Sequence, residues 1–425
     1  MTLGLFAYKS LTGLIDPALP LLLKRRIRSG KEDADRIEER RGYASRKRPP
    51  GPLVWMHGAS IGESQVLLLL FEALKAERPD LQGLITTQTQ TSAELIARKA
   101  LPDLVHQMAP ADTVFSAKRF LDHWRPDLAV FAEGDLWPNL ISKLDQRRIP
   151  RMLINARMTQ KSLEGWMRFK AVAKKIFTGF DPILTANQRT YDGLRVLAGR
   201  KVKYAGNIKY AAPPLPADET DLHNFQEGIG DRPVLAALST HPGEEEMVLK
   251  AWETARETHP DLLLILAPRH PERGDDIAKL LEGQSVYRRS IESLPTPQAN
   301  IWLCDTLGEL GLWIRLSSLV YLGGGQPGSG IFGHNPIEPL KLGKYVVSMP
   351  EVGNFQKEFD DLTAARGASF IHDETALARL VSDFLSGDNA PQPDRTRLNT
   401  YLSGDAPLLM ARDAVLAKLP ARHAE

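Results

Sequence analysis

Several turns in this chain combine small residues with groups that can move a proton or bind an anion. The first is Trp55-Met56-His57-Gly58-Ala59-Ser60-Ile61-Gly62-Glu63. A carboxylate such as Glu63, fixed at a turn, can take the proton of an attacking hydroxyl. Ser60-x-x-Glu63 also has the spacing of a capping box, in which both side chains satisfy free backbone N–H groups at a helix start. The local pattern favours the cap and leaves both roles open. A second turn, Ser239-Thr240-His241-Pro242-Gly243-Glu244-Glu245-Glu246, puts two hydroxyls and three glutamates at a helix start. Ser239 and Thr240 can cap there or hold a phosphate, and Pro242 suits an early helical position. In Pro268-Arg269-His270-Pro271-Glu272-Arg273, Arg269 is placed to clamp a phosphate or carboxylate, or to form a surface salt bridge. Thr306-x-x-Glu309 and Asn335-x-x-Glu338 repeat the capping spacing. The glycine-rich run 323–333 precedes Asn335 and lets backbone approach a ligand closely, with the N–H groups of the next helix facing an anion.

Other motif chemistries fail. The glycine run does not match G-x-x-x-x-G-K-[ST], and Gly343-Lys344-Tyr345 lacks the hydroxyl residue. A dinucleotide fingerprint would open a βαβ unit, whereas these glycines follow a late strand. Gly58-Ala59-Ser60-Ile61-Gly62 has the wrong spacing for a hydrolase nucleophile turn. His57, His241, His270 and His334 all end strands but lack zincin spacing, so no metal is expected.

The elements that must hold these turns alternate. Short apolar runs fall at 53–56, 83–87, 128–132, 152–155, 182–185 and 202–205, with helical patterns between them. The helix after the first run is expected to begin near Gln65. Residues 211–217 contain three prolines and read as a stiff linker. Beyond it, strand runs recur at 234–238, 262–267, 285–287, 301–304, 319–322 and 345–348. The pattern predicts α/β architecture, with two doubly wound Rossmann-like domains facing across a cleft. The expected divisions are 1–50, 51–210, 211–217, 218–395 and a helical tail, 396–425, packing back toward the first domain.

The chain's 425 residues carry a net charge of +2, which gives no case for nucleic acid. Its single cysteine, Cys304, lies in an apolar run and excludes a disulfide framework. Charge is uneven: residues 1–50 hold twelve Lys/Arg and six Asp/Glu, or +6, leaving −4 for the rest. Leu3–Leu23 is apolar but is interrupted by Lys9, Asp16, Pro17 and Pro20, which argues against a spanning helix. Followed by Lys24-Arg25-Arg26-Ile27-Arg28, it suits a segment lying on an anionic membrane surface. Packing on its own domain is the other reading.

Taken together, the motifs resemble the bacterial Kdo transferases, which attach 3-deoxy-D-manno-oct-2-ulosonic acid (Kdo) to lipid A precursor. The matching segments, in family order, are Gly30-Lys31-Glu32-Asp33 through Glu39-Arg40, His57 to Glu63, Thr86 to Thr91, Leu136 to Leu140 and Asn155 to Met158. They continue with Gly206 to Lys209, Ser239-Thr240-His241, Pro268 to Arg273, Gly308-Glu309-Leu310 and Gly333 to Pro339. The resemblance implies a GT-B glycosyltransferase fold, a CMP-Kdo donor bound mainly by the C-terminal half, and a lipid A precursor acceptor reached through the N-terminal half. It implies inversion without a metal or other cofactor, at the cytoplasmic face of the bacterial inner membrane. By the same resemblance Glu63 is the catalytic base. Arg269, Gly308, Glu309, Asn335 and Glu338 serve the nucleotide, and Glu338 suits the ribose hydroxyls. Ser239 and Thr240 are phosphate-side candidates, and Ser60, Gly62 and Glu133 lie on the acceptor side. Two segments depart from the family. Glu133-Gly134-Asp135 stands where Glu-Thr-Glu is usual, and Gly330-Ile331-Phe332-Gly333 replaces a proline followed by two glycines. The competing readings are a GT-B transferase for another activated sugar, such as UDP-N-acetylglucosamine, and an inactive membrane-surface binding protein on this fold.

Overall fold

A computed structural model describes residues 3–296, 298–387, 391–402 and 404–421. It divides into two units, one of residues 1–212 with 404–425 and the other of 213–403.

Unit 1 is built on a seven-stranded sheet of β1 (Leu53–His57), β2 (Gln82–Thr87), β3 (Leu104–Met108), β4 (Leu128–Ala132), β5 (Arg151–Ala156), β6 (Phe180–Thr185) and β7 (Val202–Tyr204). Their order is β3-β2-β1-β4-β5-β6-β7, all parallel. Central strands such as β1 and β4 are buried along their whole length, as expected of a parallel sheet covered on both faces. Trp55, Phe120, Trp124 and Phe131 fill one face; Val66, Leu70, Phe71 and Leu74 fill the other. β3 has no clear signal in the sequence because His106 and Gln107 interrupt its apolar run. Both polar groups are nonetheless satisfied: Gln107 accepts from Trp124 Nε1 at 2.6 Å, and His106 meets Arg36 and Thr87.

Residues 3–50 group with unit 1 rather than forming a segment of their own. The Leu3–Ile15 helix is pinned by side-chain hydrogen bonds from Tyr8 to Asp112 (3.0 Å), Lys9 to Ser142 (2.5 Å) and Asn139 to Thr12 (2.9 Å). The Ala406–Leu416 helix also belongs here, burying Ala411 and Val415 against the Ile61–Glu77 helix side of the sheet. Residues 395–402 form a helix of unit 2 instead, so the expected tail from 396 divides between the units.

Unit 2 is built on a second seven-stranded sheet of β8 (Val234–Thr240), β9 (Leu263–Pro268), β10 (Val286–Arg288), β11 (Ile301–Leu303), β12 (Leu319–Leu322), β13 (Tyr345–Ser348) and β14 (Ala368–Phe370). The order is β10-β11-β9-β8-β12-β13-β14, again parallel. β14 is a three-residue edge strand, too short for its pattern to register in sequence. The proline-rich stretch packs on this unit, where Arg315 Nη1 donates to Leu215 O. Strand order reverses between β1 and β4 in the first sheet and between β8 and β12 in the second, where β11 also lies inside β10. Open α/β sheets bind ligands outside the carboxyl ends of the strands at such switch points.

Candidate active site

At the switch point of unit 1, β1 ends at His57 and the chain turns straight into a helix. That helix is Ile61–Glu77, four residues earlier than the apolar pattern suggested, because polar Ser64 and Gln65 interrupt the periodicity of its first turn. Ser60 is its N-cap and accepts from the Glu63 N–H. Glu63 Oε2 accepts from the Ala59 N–H at 2.7 Å, and Oε1 accepts from the Ser60 hydroxyl at 3.0 Å. The cap is therefore real, and it also fixes the rotamer of the carboxylate. Gly58 is required there: a Cβ at 58 would lie 2.8 Å from Glu63 Cβ. Burial, at 8% exposure, pushes the Glu63 carboxyl above its ordinary value. The Ala59 and Ser60 hydrogen bonds oppose the shift, while the Glu133 and Asp135 charges add to it.

β4 delivers the second group. Glu133 has φ +57, a left-handed conformation uncommon for non-glycine residues and frequent at functional sites. Its Oε1 accepts from Lys209 Nζ at 2.7 Å and from Asn155 Nδ2 at 3.5 Å. Gly62 leaves room for that lysine, since a Cβ there would sit 3.0 Å from Lys209 Nζ. Asp135, the shortened acid, still reaches His57: Oδ2 lies 3.1 Å from Nε2. Burial works to raise the Asp135 carboxyl, but the hydrogen bond and charge of His57 hold it below its ordinary value. Thr86 Oγ1 accepts from Trp55 Nε1 and meets His57 Nδ1, both at 2.9 Å. The structure thus gathers Ser60, Gly62, Glu63 and Glu133 and adds His57, Asp135, Asn155 and Lys209. Lys209 lies 76 positions from Glu133 in sequence, so no local pattern could have paired them.

At the switch point of unit 2, Ser239 and Thr240 belong to β8 and do not cap. Ser239 has φ +55 at a register shift in the strand, and the Glu244–Arg256 helix is capped by Gly243 without a side-chain bond. Pro242 consequently precedes the helix. Thr240 Oγ1 is buried and has no hydrogen-bond partner among the described residues. Of the three glutamates, Glu244 works as a buried hub. It accepts from the His241 and Gly324 N–H groups and from the Tyr321 hydroxyl, each at 2.9 Å. Glu245 pairs with Arg273 at 2.7 Å. The glycine-rich loop brings His334 back over β8, with its Nε2 2.8 Å from His241 Nε2. Gly324 (φ +82) permits this, since a Cβ there would meet His334 Cδ2 at 2.9 Å.

The remaining predicted residues are held as follows. Arg269 is exposed just past β9, and its N–H donates to Thr240 O. Asn335 Nδ2 donates to Glu338 Oε1 at 3.2 Å, while Asn335 Oδ1 accepts from the Ile337 N–H. One of the N–H groups expected to face an anion is thus already taken, and the Ile337–Lys341 helix has only five residues. Burial raises the Glu338 carboxyl, against the Asn335 hydrogen bond and the Arg269 charge. Thr306 donates to Glu309, but the helix begins only at Leu310, so this pair is not a capping box. Glu309 instead grips Arg289 at 2.6 Å, beside Gly308, which stands open at φ +90. Among the described residues, no group of three or more His, Cys, Asp or Glu is arranged to hold a metal ion.

Two parallel seven-stranded α/β sheets, each with polar turns at its switch point, define a two-domain fold of the GT-B type. A putative UDP-N-acetylglucosamine 2-epimerase from Listeria monocytogenes shares that fold, with a TM-score of 0.59 at 14% identity over 88% of this chain and 99% of its own. Sequence relatives narrow the class. Residues 35–212 match the family model described as 3-deoxy-D-manno-octulosonic-acid transferase (kdotransferase). The 3-deoxy-D-manno-octulosonic acid transferase of Haemophilus influenzae is 32% identical over 393 residues, 90% of each chain. The probable mitochondrial enzyme of Arabidopsis thaliana is 33% identical, covering 89% of this chain and 87% of its own. The chain belongs to the Kdo transferase family and is an enzyme of the glycosyltransferase class.

Proposed function

We propose that this enzyme transfers Kdo from CMP-Kdo to a lipid A precursor with inversion, unit 1 serving the acceptor and unit 2 the donor. The observation that carries this reading is Glu63. It is a buried carboxylate held by two hydrogen bonds at the switch point of unit 1, with its affinity for a proton raised by burial. A base is most effective when its pKa approaches the working pH. Glu63 takes the proton of the acceptor's sugar hydroxyl as that oxygen attacks the anomeric carbon. The bond to the phosphate breaks and CMP departs. Ser60 and the Ala59 N–H orient the base, and Lys209 holds Glu133 beside it. On unit 2, Arg269 faces the nucleotide phosphate, Asn335 and Glu338 the ribose, and Gly308 and Glu309 line the nucleotide. Thr240, whose hydroxyl has no partner among the described residues, stands on the phosphate side with Ser239.

The N-terminal helices hold the enzyme at the cytoplasmic face of the inner membrane. No helix among the described residues is long and apolar enough to cross a membrane. Leu14 (79% exposed) and Leu21 (70%) are instead open to solvent, and Lys24, Arg25, Arg26 and Arg28 follow Leu21 on its helix. Such a surface suits anionic lipid.

Mass spectrometry of lipid A precursor incubated with enzyme and CMP-Kdo tests the reading. Kdo mass increments are expected; an unchanged precursor overturns it. Heat-protection by nucleotides separates donors, with CMP expected to raise the melting temperature and UDP to leave it unchanged.

A further inference from the structure

The histidines at the donor-side switch point are not used by the reaction as assigned above. His241 follows β8 and His334 closes the glycine-rich loop. Their rings are parallel within 6°, and their Nε2 atoms are 2.8 Å apart. Two imidazole nitrogens at that distance must share one proton, because two N–H groups would collide and two lone pairs would repel. In the neutral pair one ring donates through Nε2 and keeps a lone pair at Nδ1. The other accepts through Nε2 and carries its proton at Nδ1. Among the described residues neither Nδ1 has a hydrogen-bond partner. The pair therefore presents one acceptor and one donor, linked so that a proton added at one end is felt at the other.

The surroundings are built to bring the rings together. Glu244 fixes the His241 N–H and the Gly324 N–H, the two backbone positions that set the rings. The charged and titratable groups around them come from the β8 turn (Glu244, Glu245) and from the β9 turn (Arg269, His270, Arg273). His270 lies 5.8 Å from His241, ring to ring. Burial, with His241, Arg269 and His270 nearby, pushes His334 down to about 4. Burial and His270 lower His241 too. Alone, the pair is uncharged at neutral pH. A dianion placed beside it reverses the balance, since an opposite charge favours the protonated form.

We propose that His241 and His334 act as one proton-sharing pair that takes up a single proton when a phosphate monoester dianion, the form in which CMP leaves, is held at the carboxyl ends of β8, β9 and β12. The proton comes from solvent, and no heavy-atom bond is made or broken in this step. The resulting imidazole–imidazolium carries one charge over two rings and donates through Nδ1 to a phosphate oxygen. The donor's phosphodiester carries one negative charge; as the sugar–phosphate bond breaks, its electron pair moves onto the phosphate, which becomes the dianion, and the interaction strengthens. This inference rests on the assignment of unit 2 to the nucleotide donor, and it adds the pair as a sensor of the charge that develops on the phosphate as CMP leaves.

Calorimetric titration of the full-length enzyme with CMP and with cytidine, in two buffers of different ionisation enthalpy at pH 7, tests it. About one proton should be taken up per CMP and none per cytidine. H241N and H334N should each abolish the uptake and weaken CMP roughly 10-fold while cytidine affinity stays unchanged. Melting curves confirm that the variants fold, with His334→Gln as the substitute for an unfolded H334N. CMP binding without proton uptake overturns the pair while leaving the donor assignment intact. Uptake that persists in both variants also overturns it, by placing the proton on the phosphate. Failure of CMP to bind the wild type overturns the donor assignment and the pair together.

Discussion

The two units share a parallel α/β plan, differing at one edge where unit 2 sets β11 inside β10, and they put opposite chemistry at their corresponding switch points. At the switch point of unit 1 the chain collects carboxylates: Glu63, Glu133 and Asp135, with Lys209 and His57 as their partners. At the switch point of unit 2 it collects imidazoles, glycines and arginine, and the carboxylate there, Glu244, is spent on backbone N–H groups. One set of strand ends is rich in carboxylates, and the other in imidazoles and close-packed backbone. Parallel sheets make this division possible. The strand cores are interchangeable apolar runs, so the turns alone carry the chemistry.

Removing the proposed base should do most to test the contrast. Glu63→Gln is expected to lower kcat by about 10²–10⁴-fold, the range general-base groups contribute, measured by Kdo transfer under saturating donor. It should not unfold the protein. Near-wild-type activity would remove Glu63 as the base, and loss of folding would leave it only the cap. The counterpart in unit 2 is structural. Glu244→Ala strands the His241 and Gly324 N–H groups and the Tyr321 hydroxyl, and should cost about 2–4 kcal/mol in denaturant unfolding.

The pH dependence follows from Glu63. Its folded carboxyl is raised, so the folded state holds the proton more tightly than the unfolded chain. Ionised Glu63 thus opposes folding above its folded pKa, and this cost disappears at pH values below the ordinary carboxyl value near 4.5. Glu63→Gln should accordingly be more stable than wild type at pH 7, with the gap closing in acid. In wild type, the acid limb of kcat/KM should fall above 4.5. A gap that does not change with pH would refute the assignment.

Ser60→Ala separates cap from base at smaller cost. It should lose about 1 kcal/mol of stability, with activity falling less than in Glu63→Gln, because Ala59 still orients the carboxylate. The smallest effect is expected at Phe332, which occupies the left-handed region at φ +64, where glycine is the unstrained residue. Phe332→Gly relieves that strain but adds chain entropy, so melting should show a gain below about 1 kcal/mol.

Much of this was legible in the sequence because a buried parallel strand writes itself as an unbroken apolar run. Elements were missed where polar residues are buried with partners that sequence does not show, as with His106 and Gln107 in β3. Ser60-x-x-Glu63 was readable as a cap and as a base, and the structure shows why the choice was open: the same hydrogen bonds that cap the helix orient the carboxylate. Thr306-x-x-Glu309 had the same spacing and caps nothing, since its helix starts later and Arg289 claims the acid.

The sequence by itself determined the alternation of strands and helices, the small-residue turns at strand ends and the uneven N-terminal charge, all of which are local patterns of side-chain type. Only the tertiary structure decided which turns meet. Strand order placed β4 beside β1 and β12 beside β8, and so brought Glu133 and Lys209 to Glu63 and His334 to His241. These pairings span tens of residues, and side-chain type carries no record of the backbone path that closes them.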